Sequence, residues 1–320
     1  MPLDPQAKAL FDAIGITNLL PVETMTPQAA RERSKLLLEA RRQMGIEPVH
    51  QVQDLRIGPA QDIPARIYTP DVRKPAPALI YFHGGGWVLG DLESHDHVCR
   101  SLANKVSCVV ASIDYRLAPE AKFPAAVDDS YAATEWVAAH AAELGIDPER
   151  IAVGGDSAGG NLATVVAQLA RDRKGPKLVF QLLIYPGTDM RMKAPSIEEN
   201  AAGPLLTKAS MVWFIGHYLR NEDDKLNPLA SPLLATDLSN LPPAFILTAE
   251  CDPIRDEGEE YGRKLEQAGV AVEIKRYAGM PHGFFSFGAA LTTGREAFAD
   301  TTARLQRAFG LEGSVAQSAR

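Results

Sequence analysis

Apolar side chains recur at two different periods along this chain. Residues 5–17 and 27–44 carry them at helical spacing: Leu10, Phe11, Ile14 and Ile16 in the first stretch, Leu36, Leu37, Leu38 and Met44 in the second. Pro21 and Pro27 stand between the two, so the pattern predicts a pair of helices with no intervening strand. After Pro48 the runs become short. Residues 51–57 alternate loosely and 63–68 follow a Gly-Pro turn, which predicts an antiparallel edge pair. Residues 78–82 (ALIYF) and 108–113 (CVVASI) are apolar without alternation, the pattern of strands covered on both faces. Strands and helices then take turns. Helix 125–144 precedes strand 151–153, helix 160–171 precedes strand 178–185, strand 244–247 precedes helix 256–268, and strand 270–277 precedes helix 293–309. That order predicts an α/β fold with a mainly parallel sheet sheathed by helices.

The long segment between Pro186 and Pro243 breaks the rhythm and carries its own helix at 207–220. It exceeds a plain crossover and is expected to rise above the C-terminal edge of the sheet. Together with the first two helices it would form a cap. The resulting division is 1–45 as the N-terminal part of a helical cap and 46–189 as the first part of the core. Residues 190–225 are then the cap insertion and 226–320 the second part of the core. The tail 310–320 is small and polar and is expected to fray.

Composition narrows the function classes. With 320 residues, 46% hydrophobic and 23% charged, the chain can bury a large core and is neither disordered nor fibrous. Lys and Arg number 33 against 40 Asp and Glu, a net charge of −7, which argues against a nucleic-acid partner. Apolar runs reach only about ten residues, too short to cross a bilayer. The start, MPLDPQAKAL, lacks the basic-then-apolar profile of a secretory signal. Three cysteines (Cys99, Cys108 and Cys251) do not make a disulfide framework. A cytoplasmic location is expected.

The sharpest chemical signal is Gly154-Gly155-Asp156-Ser157-Ala158-Gly159-Gly160. It contains G-x-S-x-G between a β run and a helical run, the setting that lifts a serine hydroxyl to the tip of a tight turn. A phosphate-binding loop would need Lys after Gly159, where Gly160 stands. The dinucleotide pattern fails here too, and again at Gly84-Gly85-Gly86, where Leu89 holds its last position. That second glycine run follows strand 78–82 in the sequence His83-Gly84-Gly85-Gly86-Trp87. Bare backbone after a central strand can aim N–H groups at a developing oxyanion. The expected donors are the backbone N–H groups of Gly84, Gly85 and Ala158.

A serine nucleophile needs a base and an acid. Of seven histidines (His50, His83, His95, His97, His140, His217 and His282), only His282 follows both the serine and the end of a strand. The acid is expected at the end of the preceding strand. Asp252 lies there, with Asp256 and Glu250 as rivals. Asp256 reads as a helix-start residue favoured by the dipole. His95-Asp96-His97 raises the thought of a metal. Without H-E-x-x-H or a Cys/His cluster it reads as a solvated loop, and no metal site is expected. The acidic run Glu222-Asp223-Asp224 reads as solvated surface. Trp213 and Phe214 read as packing residues that could also line a substrate entrance.

Taken together, the chain resembles the hormone-sensitive-lipase-like bacterial esterases of the α/β-hydrolase superfamily. The matching stretches are HGGGW at 83–87, DYRLAPE at 114–120, GDSAGGN at 155–161 and YP at 185–186. SPLLA at 231–235, DPIRDEG at 252–258 and HGF at 282–284 complete them in family order. The resemblance implies an eight-stranded sheet under a helical cap. It also implies hydrolysis of short- to medium-chain carboxylic esters without a cofactor. It assigns Ser157, Asp252 and His282 as the triad and Gly84, Gly85 and Ala158 as oxyanion donors, with His83 bracing the glycine loop. The partner would be a small-molecule ester. A homodimer is expected through strand 270–277, because the last strand of a sheet exposes an edge. Two other functions share the fold: a small-molecule receptor without catalysis, and an amidase or peptidase.

Overall fold

A computed structural model describes residues 2–15, 19–42, 46–58, 60 and 62–311. In chain order the elements begin with α1 (Pro5–Ala13), α2 (Pro27–Arg42), β1 (Gln51–Ile57), β2 (Ile63–Thr69) and β3 (Ala76–Phe82). Next come α3 (Asp96–Val106), β4 (Val109–Ile113), α4 (Ala125–Ala139), α5 (Ala141–Leu144), β5 (Ile146–Asp156), α6 (Ala158–Asp172) and β6 (Phe180–Ile184). The chain continues through α7 (Ser196–Glu199), α8 (Lys208–Tyr218), β7 (Ala244–Cys251), α9 (Arg255–Gln267), β8 (Val272–Pro281) and α10 (Thr292–Ala308).

The strands form one sheet in the order β1-β2-β4-β3-β5-β6-β7-β8. From β4 to β8 every pairing is parallel, and β1 and β2 form the antiparallel edge that the short turn predicts. The runs without alternation supply both faces at once. In β3, Ala78, Ile80 and Phe82 join one apolar layer and Leu79 and Tyr81 the other; in β7, Ile246 faces one layer and Phe245 and Leu247 the opposite one. Residues of α4, α6 and α9 pack into the first layer and those of α3 and α10 into the second. Each fully buried aliphatic side chain contributes roughly 1.5–3 kcal/mol. A sheet covered on both faces therefore holds its strand ends rigidly where loops must carry chemistry.

Three expectations need correction. Residues 95–97 are no solvated loop: His95 is buried, and α3 starts at Asp96. Its buried Val98, Cys99, Leu102, Ala103 and Val106 fall on one helical face, a signal masked by the polar start. Strand 151–153 is only part of β5, which opens on the buried Ile146, passes through the exposed or half-buried residues 147–150 and is buried again from Ile151 to Asp156. Helix 125–144 is two helices broken at His140, whose Nδ1 lies 2.9 Å from the Trp136 carbonyl oxygen.

The two N-terminal helices go to different places. Asp4 N–H donates to the Gly279 carbonyl and Phe11 packs edge-on against Phe287, so α1 lies beside the end of β8. Arg31 of α2 donates to the carbonyls of Val88 and Ala118, beside the glycine loop. Trp213 of α8 donates to the Met25 carbonyl. Ile16 and Met44 lie outside the described residues, as do positions 312–320 of the tail. Among the described residues no helix is long and apolar enough to cross a membrane.

Candidate active site

β5 ends at Asp156, and the chain turns at Ser157 with φ 56° and ψ −116° before α6 begins. Such a backbone is strained for a residue with a side chain, by about 1–3 kcal/mol. It is held by the Ser157 N–H, which donates to the Ile184 carbonyl at 2.8 Å. Asn161, one turn into α6, ties the helix start to the carbonyls of Gly187 and Ala230. The turn closes only because Gly159 has no side chain: a Cβ there would stand 1.8 Å from the Phe82 carbonyl oxygen.

Ser157, Asp252 and His282 meet although they come from three loops. Asp252 follows β7 and is fully buried. Its Oδ1 accepts the Ile254 N–H at 3.0 Å and its Oδ2 lies 2.7 Å from His282 Nδ1. A carboxylate only accepts, so Nδ1 carries the proton and Nε2 is the acceptor. Ser157 Oγ lies 2.9 Å from that Nε2. The loop bearing His282 is braced by Glu250, whose Oε2 accepts the Gly279 N–H at 2.7 Å. The rival Asp256 faces elsewhere. It accepts from Ser196 N–H and Arg255 Nε, and although burial raises its carboxyl, Arg255 pulls it below the ordinary range.

The glycine loop is organised by Asp156. Its Oδ1 accepts from Tyr81 Oη at 2.8 Å and from the Gly84 N–H at 3.0 Å, and His95 Nε2 lies 3.1 Å away. Burial would raise this carboxyl, but His95, the Tyr81 hydroxyl and His83 outweigh it and hold it at about 2. This corrects the expectation for Gly84: its N–H is engaged by Asp156 and is not open to a substrate oxygen. Gly86 instead lines the cleft beside Ser157 and Ala158. Among the described residues no hydrogen-bond acceptor is found for the N–H groups of Gly85, Gly86 and Ala158. His83 is buried behind the loop. Burial foremost, and then His95, lower it to about 4, so the ring is neutral. It donates from Nδ1 to the Gly84 carbonyl at 2.8 Å and stacks on Tyr115, whose hydroxyl donates to the His83 carbonyl.

Ser157 lies in a cleft with Gly86, Trp87 and Ala158. Its far wall is apolar and comes from the insertion: Leu206, Met211, Phe214 and Ile215. Phe214 therefore lines the cleft, whereas Trp213 packs against Phe214 and His217. No described residue of 1–45 lines the cleft, although Met25 meets α8 through Trp213. In the acidic run, Asp224 is buried and accepts from Arg220, so only its neighbours are solvated surface. Sequence reasoning missed Asp156, Gly86 and the buried Glu257, which also lines the cleft. Asp156 and Glu257 were in view within GDSAGGN and DPIRDEG. Among the described residues no cluster of three or more His, Cys, Asp or Glu side chains is placed to hold a metal.

A family model described as an alpha/beta hydrolase fold matches residues 79–286. The chain belongs to the α/β-hydrolase family. It is 43% identical to carboxylesterase NlhH of Mycobacterium tuberculosis over 96% of both chains. It is 43% identical to an ethyl acetate hydrolase of Pseudomonas putida, over 77% of this chain and 78% of that one. Among solved structures, a hyperthermophilic esterase from the archaeon Pyrobaculum calidifontis superposes with a TM-score of 0.91 at 45% identity, covering 96% of this chain and 99% of that one.

The depressed carboxyl of Asp156 makes an acid-stability prediction for this hydrolase. Its folded value of about 2 lies below the ordinary 3.8. The stability it contributes is therefore complete above the ordinary value and is lost as pH falls from about 4 through about 2. Asp156→Asn should remove that loss, on the order of 2 kcal/mol across the window. Melting temperature against pH for both proteins checks it; an acid limb of unchanged steepness in the variant would refute it.

Proposed function

We propose that this protein is a carboxylic-ester hydrolase that works through an acyl-enzyme on Ser157. The observation that carries the reading is the chain Ser157 Oγ–His282–Asp252, with contacts of 2.9 and 2.7 Å, lying in an apolar cleft. His282 Nε2 takes the Ser157 proton as Oγ attacks the ester carbonyl. The N–H groups of Gly85, Gly86 and Ala158 receive the oxyanion. Each such donor is worth about 10²–10³ in turnover. Asp252 fixes the Nδ1–H tautomer and balances the imidazolium. His282 then protonates the leaving alcohol, and water repeats the sequence on the acyl-enzyme. The names of the relatives support an ester substrate over an amide. A receptor without catalysis is disfavoured because the histidine is present and within hydrogen-bond reach of the serine. A burst of p-nitrophenol from p-nitrophenyl butyrate decides between the two.

The insertion would set the acyl limit. Each methylene laid against Leu206, Met211 and Ile215 adds ~0.8 kcal/mol until the wall ends. We extend the reading to a homodimer paired along β8, the sheet edge opposite β1. Its cations do not oppose this, because Lys275 is met by Glu296 and Asp300 and Arg276 by Glu259.

Three outcomes are expected. Ser157→Ala lowers turnover of a butyrate ester by roughly 10⁴–10⁶ and Asp252→Asn by about 10³–10⁴. Asp256→Asn mainly costs stability, on the order of 1 kcal/mol. Kinetics beside melting curves test this, and a folded Asp256→Asn with the larger turnover loss would overturn the choice of acid. Across an acyl-length series, rates peak at roughly four to eight carbons; equal rates on long-chain triglycerides would contradict a walled cleft. Sedimentation at micromolar concentration should find a dimer, and a monomer there removes the β8 pairing.

A further inference from the structure

Glu257 is a buried acid that the proposed hydrolysis does not use. It lies in the first turn of α9 and is 3% exposed. Its two oxygens have different surroundings. Oε1 accepts the backbone N–H groups of Thr188 at 2.7 Å and Asp189 at 3.1 Å. Oε2 is buried and has no hydrogen-bond partner among the described residues. The residue lines the cleft that holds Ser157, in a wall otherwise built mainly from Trp87, Met190, Ile254 and the insertion's apolar side chains. Gly187 lines the same wall, and a Cβ there would come to 3.9 Å from Glu257 Oε1. No side chain at position 187 stands between Glu257, Ile254 and Trp87, which a Cβ there would meet at 3.9 Å.

An unpaired carboxylate oxygen in such a place costs several kcal/mol, and the group avoids this by holding a proton. Burial foremost, with Asp189 and Asp252 nearby, pushes Glu257 well above the ordinary carboxyl range against the pull of its two backbone donors. Because Oε1 is occupied by two N–H groups, the proton belongs on Oε2. A neutral carboxyl offers one O–H donor there, and among the described residues none takes it.

We infer that Glu257 is a specificity-determining residue whose Oε2–H donates to an acceptor oxygen on the chain of the substrate. The substrates so favoured are esters carrying an ether or keto oxygen along the chain as well as the scissile ester. This rests on the reading that the cleft at Ser157 receives the substrate. A purely alkyl chain fills the same cleft and leaves the O–H unmatched. A chain with an oxygen at the right position gains one buried hydrogen bond, worth about three- to tenfold in kcat/KM.

The test compares p-nitrophenyl esters of one chain length in which a single methylene is replaced by oxygen at each successive position. In the wild-type protein one position should be favoured over the others. The ratio of its kcat/KM to that of the all-carbon ester should fall about fivefold in Glu257→Leu, a loss of one hydrogen bond, and return in Glu257→Gln, whose amide keeps both an acceptor and a donor. A role confined to holding the Thr188–Asp189 turn would lower both substrates together and leave the ratio unmoved, which overturns the inference. No favoured position in the wild type overturns it as well, while Ser157-dependent turnover of the all-carbon ester keeps the hydrolase reading intact. Loss of all ester turnover would instead sink that reading. Should Glu257→Leu not fold, infrared difference spectra of wild type against Glu257→Gln replace it. A protonated-carboxyl band belonging to Glu257 should shift when Ser157 reacts with an ether-bearing alkylphosphonate and stay put with its all-carbon counterpart. A missing band, or identical spectra with the two phosphonates, overturns the inference.

Discussion

Asp156 stands one residue before Ser157 with its carboxylate cut off from water, and a buried carboxylate left unmatched costs several kcal/mol. The donors that meet it come from far along the chain: the Tyr81 hydroxyl on β3, the Gly84 N–H on the glycine loop and His95 at the start of α3. One charge therefore fixes the end of β5, the loop after β3 and the helix that follows it relative to each other. There is no slack in the contact. A Cβ on Gly84 would stand 2.3 Å from Asp156 Oδ2. With the first glycine turned inward to the carboxylate, the loop can offer the cleft only its later peptides, and Gly86 is the glycine found there. The division of labour among three consecutive glycines thus follows from satisfying a buried anion.

The strained backbone at Ser157 depends on the same frame. Its cost of about 1–3 kcal/mol is offset by the N–H bond to the Ile184 carbonyl, by the continuous helix behind it and by the side-chain anchor of Asn161. The start of α6 also brings its dipole to the serine. That field is worth about 0.3–1 kcal/mol, whereas a directed N–H donor at an oxyanion is worth about 2.7–4 kcal/mol. The placement of individual N–H groups outweighs the helix dipole, and the close approach allowed by Gly159 matters because it fixes where the Ala158 N–H points.

Most of this frame was legible in the sequence because it is written locally. Apolar runs without alternation mark the covered strands. The order of serine, acid and histidine after strand ends marks the loops that meet at Ser157, and the acid cluster opening α9 marks Asp256 as a helix-start residue rather than the partner of His282. What was not legible depends on contacts between distant segments. Three glycines in a row look equivalent until Asp156 claims the first. His95-Asp96-His97 looks solvated until the apolar face of α3 is seen to cover the sheet. The place of α1 at the end of β8 is set by the Asp4–Gly279 bond and not by its amphipathic pattern, which would suit a cap equally well.

Four acids gather near the C-terminal edge of the sheet, and each is accommodated by the donors within reach. Asp156 has a hydroxyl, a peptide N–H and an imidazole. Asp252 has the Ile254 N–H on one oxygen and His282 on the other. Glu250 takes the Gly279 N–H and steadies the loop that carries the histidine. Glu257 has two peptide donors on one oxygen and none on the other. Donor supply separates Asp156 from Glu257: the first, met by a hydroxyl, a peptide N–H and an imidazole, stays charged and organises the backbone, whereas the second, supplied on one oxygen only, holds its proton and becomes a donor itself. The apolar insertion sharpens this difference, since the walls that exclude water from the cleft also remove the solvent that would have met the second oxygen of Glu257.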